Sequence, residues 1–377
     1  MTFRKAVFWI HLAAGLAAGL VIGIMSLTGA ALAFENEIVA WAERDARRVA
    51  PLAPGAPMLS LDELQGKFHD ARPAARIASV TFSSDPAVAV VVSVGRDAAY
   101  YLNPYTGEVR QPASAGARRF MRLMEDWHRW LALGGDARPT GRAITGACNA
   151  AFLFLAVSGL WLWWPRKWRT KGLRRSLVFL RGATGKARDW NWHNVVGFWL
   201  LPVLVVLTCS GLVLSYRWAG DLVYRANGEA PPAAGAPQTG TAATPTPAAG
   251  RRPLDSTVLL AVVQRAYPDW ETITLRPGDP GAPVALNVKQ AGAWPRTATT
   301  TLTLDALTGA VLRREGFADF SAGRRARTWL RFLHTGQALG WGGQLLAGLG
   351  CIGGLVLVYT GFALAWRRFF LPKEAKT

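Results

Sequence analysis

Five histidines stand in this 377-residue chain, and four of them keep a spacing that metal chemistry could use. His11 is followed by Gly15 and then by Thr28-Gly29. His193 is followed at the same offsets by Gly197 and by Ser210-Gly211. His128, in LMEDWHRWLALG, and His334, in WLRFLHTGQALG, each precede a Leu-Gly pair by the same interval. Two neutral imidazoles facing each other across a helix bundle suit a b-type haem, whose iron takes two axial ligands and whose porphyrin edge is content among apolar groups. Zinc would want further ligands, and only Glu125 and Asp126 near His128 offer any. A single interfacial histidine is more often a satisfied polar tip than a ligand; four in register across a repeat point to haem. The expectation is two b haems, one held by His11 and His193, the other by His128 and His334. His69 lies outside the repeat and reads as an ordinary surface residue.

These residues need elements to hold them. Four stretches lack Asp, Glu, Lys and Arg: 6–34, 143–165, 190–216 and 332–366. Each exceeds the ~20 residues that a helix needs to cross a bilayer, so four transmembrane helices are expected. Ala31-Leu32-Ala33 resembles a signal-peptide cleavage site, but the apolar run before it is about twice a normal signal core and carries His11, which favours an uncleaved helix. A helix from His11 to Phe34 spans ~35 Å, so the two histidine pairs lie near opposite faces of the membrane.

The net charge of +19 is unevenly placed. The N-terminal tip, the segment 166–189 and the tail after Trp366 carry 2, 9 and 4 Lys/Arg against only Asp189 and Glu374. The two long loops carry 14 basic residues against 13 acidic, and 14 against 9. By the positive-inside bias the loops are external, which is the periplasm if the host is Gram-negative, and both termini are cytoplasmic. Nucleic-acid binding is disfavoured because the excess charge is topological rather than a patch. Cys148, Cys209 and Cys351 all fall in apolar runs, so the loops have no disulfide framework and the chain no C-x-x-C-H haem-attachment motif.

The loops repeat as well. YYLNPYTGEVR (100–110) and LTLDALTGAVLRR (302–314) each read as strand, tight turn and strand, and each follows a helix-like segment, 58–68 and 254–267, that opens on a Ser or Asp able to cap it. Residues 230–250 are Pro/Ala/Gly/Thr-rich and read as a disordered excursion.

This alternation of helix, TG-turn domain and helix, twice over, resembles the PepSY-associated transmembrane family, whose members include inner-membrane ferric-siderophore reductases. The resemblance covers nearly the whole chain; NPYTGEV departs from the usual Asp by carrying Asn103. It implies an α-helical membrane protein with α+β extramembrane domains, a tandem repeat of helix, PepSY-like domain and helix. The boundaries are 1–34, transmembrane helix 1; 35–120, first external domain; 121–165, an outer helix and helix 2; 166–189, basic cytoplasmic loop; 190–217, helix 3; 218–325, second external domain; 326–368, helix 4; and 369–377, tail. In such proteins the histidines are haem ligands. The implied activity is reduction of a ferric siderophore outside, which releases Fe(II), with electrons entering from the cytoplasmic side. No Rossmann or flavin element is present, so the donor must be a separate reductase, a reduced flavin or the quinone pool.

Other residues weigh less. Trp161, Trp163, Trp164, Trp168, Trp190, Trp192 and Trp199 read mainly as an interfacial aromatic belt. Arg129, Arg138, Arg142 and Arg188 are candidates for haem propionates. Gly15, Gly197 and Gly348 would admit either a flat macrocycle or a neighbouring helix. Met121 and Met124 are expected in helix packing. Two other readings compete: a membrane-anchored peptide-binding or protease-regulating module without redox activity, and a siderophore transporter, which the uncharged spans disfavour.

Overall fold

The computed structural model describes residues 2–50, 56–95, 98–112, 115–165, 170–233, 253–278 and 282–371. Most of the stretch 230–250, Trp168 and the tail beyond 371 lie outside them. In chain order the elements are α1 (Phe3–Leu32), α2 (Glu35–Ala42), α3 (Arg44–Arg47), α4 (Leu61–Ala71), β1 (Ile77–Ser83), β2 (Val90–Val94), β3 (Ala98–Leu102), β4 (Val109–Arg110), α5 (Gly116–Trp130), α6 (Arg138–Trp163), α7 (Thr170–Leu177), α8 (Gly185–Trp199), α9 (Leu201–Ser215), α10 (Arg217–Ala226), α11 (Ser256–Ala266), β5 (Trp270–Arg276), β6 (Val284–Gln290), β7 (Thr300–Leu304), β8 (Val311–Glu315), α12 (Ala322–His334) and α13 (Gly340–Phe369). They form two compact units: a helical one (1–35, 120–230, 326–377) and a sheet one (36–119, 231–325).

In the helical unit, three segments are long and apolar enough to cross a membrane: Phe3–Leu32, Gly135–Trp163 and Gln337–Phe369. The third uncharged run, expected as one straight helix, is a pair instead: α8 and α9 meet at a 67° bend. The cause is Pro202, in the first turn of α9, which has no N–H to continue the ladder and whose ring crowds the preceding turn. The bend is seated on α13, where a β-carbon at Gly353 would collide with Leu200 and one at Gly350 would lie 2.7 Å from Val203. α1 packs on α6 and α13, α6 on α9, and α8 on α13. Exposed tryptophans gird both ends. Trp9, Trp161, Trp164, Trp190, Trp192, Trp199 and Trp366 lie at one, and Trp127, Trp218 and Trp341 at the other, where amphipathic rings favour a membrane–water boundary.

The sheet unit shows a difference from expectation. The two loops do not form one sheet each; their strands share a single eight-stranded antiparallel sheet in the order β4-β3-β2-β1-β5-β6-β7-β8. The seam is β1 against β5, with Val80 opposite Leu275 and a 2.9 Å hydroxyl bond between Thr81 and Thr274. Helices α4 and α11 cover one face, packing Leu61, Leu64, Phe68, Leu259, Leu260 and Val263 on Val80, Val92, Ile273, Leu275, Leu286 and Val288.

Both expected caps were placed at the right residues, but only one works as read. Ser60 caps α4 through a reciprocal box with Glu63. Asp255 makes no side-chain cap on α11; Asp62 of α4 supplies it, accepting from the N–H groups of Ser256 (3.0 Å) and Thr257 (2.9 Å) and from the Thr257 hydroxyl. Burial works against the charge on Asp62, but the bonds from Thr257 and Ser256 outweigh it and hold the carboxyl below its usual value. The two turns are equivalent: Asn103 Oδ1 accepts from the N–H groups of Tyr105 and Thr106, as Asp305 Oδ1 does from Leu307 and Thr308. An amide oxygen serves where Asp was expected. Gly107 and Gly309 follow with φ of 72° and 71°, which an L side chain resists.

A buried charge lies on the sheet's other side. The Glu43 carboxylate is fully enclosed, accepts from the Arg118 guanidinium at 2.5 and 2.8 Å, and takes a hydrogen bond from the Tyr101 hydroxyl. Burial, reinforced by that bond to Glu43, pushes the Tyr101 phenol up.

Candidate functional site: four buried imidazoles

All four histidines of the repeat turn into the helical unit, and each fixes its Nδ1 on a hydroxyl from another helix. His11 on α1 meets Ser158 Oγ of α6 at 2.8 Å, and His193 on α8 meets Thr360 Oγ1 of α13 at 2.9 Å. His128, near the end of α5, meets Thr28 Oγ1 of α1 at 3.1 Å, and His334, the last residue of α12, meets Ser210 Oγ of α9 at 3.0 Å. His128 and His334 have a second Nδ1 partner each, the carbonyls of Met25 (2.9 Å) and Leu207 (3.0 Å).

The hydroxyl geometry settles which nitrogen carries the proton. Each hydroxyl also donates to a carbonyl of its own helix: Thr28 to Ile24 (2.7 Å), Ser158 to Leu155 (3.4 Å), Ser210 to Val206 (2.5 Å) and Thr360 to Val356 (2.7 Å). Where that donation is short, at Thr28, Ser210 and Thr360, the oxygen is left to accept and the ring donates from Nδ1–H; the matching Ser158 seat assigns the same tautomer to His11. A neutral ring protonated there has its lone pair on Nε2. The side-chain and carbonyl bonds of His11, His128 and His334 all fall on Nδ1, as does the Thr360 bond of His193, which the Leu357 carbonyl also reaches. This is the arrangement in which second-shell partners fix tautomer and ring orientation for a metal.

The rings of His128 and His334 come together, with centroids 6.3 Å apart and planes at 58°. Rings this close would be the residues to hold a metal group between them, each offering one nitrogen. Among the described residues no comparable ring contact joins His11 to His193; they share an end of the bundle, where Ser158 and Thr360 lie roughly one and a half and two and a half turns before the ends of α6 and α13. Along α1, His11 and the Thr28 seat of His128 are ~25 Å apart at 1.5 Å per residue, so one ion cannot serve both ends.

Glycines make room for the rings. A β-carbon at Gly29 would come 3.2 Å from His128 Cε1, one at Gly159 3.5 Å from His11 Cε1, and one at Gly361 3.7 Å from His193 Cε1. Gly159 and Gly361 directly follow Ser158 and Thr360, so each hydroxyl and its neighbouring gap come from one dipeptide. The dipeptides sit in AVSGLWLWW (156–164) and LVYTGFALAW (357–366), which answer each other across the repeat without the sequence naming their use. Of the glycines singled out in the sequence, Gly29 lines a ring, whereas Gly15, Gly197 and Gly348 face Leu155, Leu357 and Phe34.

The arginine candidates are already paired. Arg129 bonds Glu125 at 2.6 Å, Arg138 lies 3.6 Å from Asp126, and both stack on the Trp130 ring. Arg188 bonds the fully buried Asp189, which also receives Arg367. Arg142 is exposed; Met121 is buried in helix packing; His69 is exposed on α4.

Among the described residues no cluster of three His, Cys, Asp or Glu could hold a metal ion. Paired neutral imidazoles with nothing else leave a bare ion under-coordinated, whereas a macrocycle that brings four nitrogens of its own needs only two such ligands. The donor set therefore fits haem and does not fit a bare structural zinc.

Apolar spanning helices, an antiparallel sheet unit and half-buried histidines at both ends of the bundle define a multi-pass membrane protein with an extramembrane domain. The family described as PepSY-associated TM region matches residues 8–368, and the chain belongs to it. No curated protein matches the chain.

Proposed function

We propose that this protein is a transmembrane electron carrier holding two b haems, one between His11 and His193 and one between His128 and His334, and that it reduces ferric siderophores on the outer face of a bacterial inner membrane. The observation that carries this reading is the outer ring pair: 6.3 Å between centroids, both Nδ1 atoms bound, both Nε2 atoms bare. A second support is that the same hydrogen-bond scheme recurs at corresponding positions of the two halves, as expected of a four-span tandem repeat in which α8 and α9 make one broken span. The basic segments support a topology with both termini in the cytoplasm.

Bound there, haem would supply an iron that cycles between ferric and ferrous states. The chain's own residues do the rest. Thr28, Ser158, Ser210 and Thr360 orient the rings and keep Nε2 unprotonated; the apolar helices exclude water; the two sites lie toward opposite membrane faces. One-electron reduction of a siderophore-bound ferric ion weakens the grip of hard oxygen ligands and frees Fe(II). The electron donor is a separate component.

The test is a redox-titrated absorption spectrum of the purified full-length protein with its haem-to-protein ratio, then anaerobic mixing of the reduced form with ferric hydroxamate and catecholate chelates. His193→Ala should remove about half of the haem absorbance, through loss of one of two ligands at one site. A purified protein without a dithionite-sensitive Soret band would favour the competing anchor reading, in which the sheet unit binds peptide and the helices only tether it.

A further inference from the structure

The groove beside the His193 seat has the form of a ligand site rather than of ordinary packing. Leu16 of α1 and Tyr359, Phe362, Ala363, Trp366 and Phe370 of α13 are among the walls of an open cavity of about 440 Å³. From Tyr359 to Phe370 it runs ~16 Å along α13 at 1.5 Å per residue. Its one polar landmark is at Tyr359, whose hydroxyl accepts from the Arg188 guanidinium at 3.3 Å. At the other end Trp366 and Phe370 stack at 4.4 Å and present flat aromatic surface. Sites for small planar ligands combine these properties: mostly apolar walls, a volume of ~300–1,000 Å³ and one or two polar groups that fix orientation.

The place of the groove narrows the ligand class. Tyr359 and Phe362 flank Thr360 and Gly361, the residues that hold and accommodate His193, so the groove and the histidine share one turn of α13. Its rim residues Tyr359, Trp366, Phe369 and Phe370 are exposed on a membrane-spanning helix, so a ligand would enter from the lipid phase. A lipid acyl chain would use the apolar walls but leave the Tyr359–Arg188 pair without a function. A quinone would use both: a head-group carbonyl can accept from the Tyr359 hydroxyl next to Phe362, while its apolar tail follows the walls toward Trp366 and Phe370.

We propose that this groove binds the head group of a membrane quinone beside the His11/His193 end. This rests on, and deepens, the electron-carrier reading by naming its donor: a quinol there would pass two electrons in successive one-electron steps to the carrier, which would accept each in turn; the quinol would release two protons to water and leave as the quinone.

The experiment uses full-length protein in nanodiscs of defined phospholipid and an azido-quinone photolabel, with crosslinks mapped by mass spectrometry. Saturable labelling should concentrate between Tyr359 and Phe370 and be competed by a short-chain quinone. Ala363→Trp, which fills the groove, should abolish it, and Tyr359→Phe, which removes one hydrogen bond, should weaken it up to about tenfold. Labelling must persist in His193→Ala, because the groove does not need the cofactor; a haem deficit there with intact labelling would separate the two ideas. Label scattered evenly over the lipid-facing helices, or unchanged in Ala363→Trp, or a co-purified phospholipid that no quinone displaces, would overturn the proposal.

Discussion

Ser158 and Ser210 occupy corresponding roles at opposite ends of the bundle, yet their removal should not cost the same. At His11 the Ser158 hydroxyl is the one Nδ1 partner among the described residues, at 2.8 Å. At His334 the Ser210 hydroxyl shares Nδ1 with the Leu207 carbonyl, each at 3.0 Å. Ser158→Ala therefore leaves a buried ring free to rotate and to move its proton to Nε2, which destroys the ligand. Loss of such an orienting partner lowers metal affinity about 10- to 100-fold, or ~1.4–2.7 kcal/mol. Ser210→Ala leaves a carbonyl that still demands a donor at Nδ1, so tautomer and direction survive and the loss is one shared neutral hydrogen bond, ~0.5–1 kcal/mol and less than tenfold. The assay is haem transfer from each purified variant to an excess of an apo-haem acceptor, followed by absorption, with fast and slow phases assigned by His11→Ala and His334→Ala. Equal release from the two serine variants, or faster release from Ser210→Ala, would refute the tautomer argument.

Gly29→Ala puts a methyl group 3.2 Å from His128 Cε1 and 3.0 Å from Cys351 Sγ, so the ring must shift by a few tenths of an ångström; the EPR g-values of that site should change, whereas Gly159→Ala, with 3.5 Å to His11, should leave its site unaltered. Because the folded-state carboxyl of Asp62 is held below its usual value, its contribution to stability is complete above the unfolded-state value near pH 4 and fades as pH falls through the depressed one. The thermal-stability gap between wild type and Asp62→Asn should accordingly close on acidification from pH 6 to 3; a gap that widens would contradict the capping geometry. Glu43→Ala strands the partly buried Arg118 charge and should destabilise the sheet unit by about 3–5 kcal/mol, read by chemical denaturation of the full-length protein.

The histidine register and the strand–turn–strand motifs were legible because both are local: fixed offsets within a helix and a glycine after a turn survive in one dimension. Ser158 and Thr360 were visible as matched letters, but their use depends on which helix lies opposite, and composition carries no such information. Pro202 was present inside the third uncharged run, yet a proline in an apolar stretch is compatible with a mild kink or a full break; the glycine notch on α13 permits the 67° bend. The joining of the two loops was hidden for the same reason. Strand β1 reads as half-buried whatever partner it takes, and nothing nearby names β5. Likewise Asp255 has the residue type of a cap, while the working cap, Asp62, comes from the other half of the chain.

The β1–β5 seam also orders events during biosynthesis. The two strands are bridged by the Thr81–Thr274 pair, 193 residues apart, with α6, α8 and α9 lying between them in the chain and still to be made when β1 emerges. Until Trp270 has been synthesised, β1 offers a bare row of amides and carbonyls, the kind of surface that mispairs with other chains. Truncated products ending before that point should be short-lived, and a holdase that shields strand edges would raise the yield of intact protein.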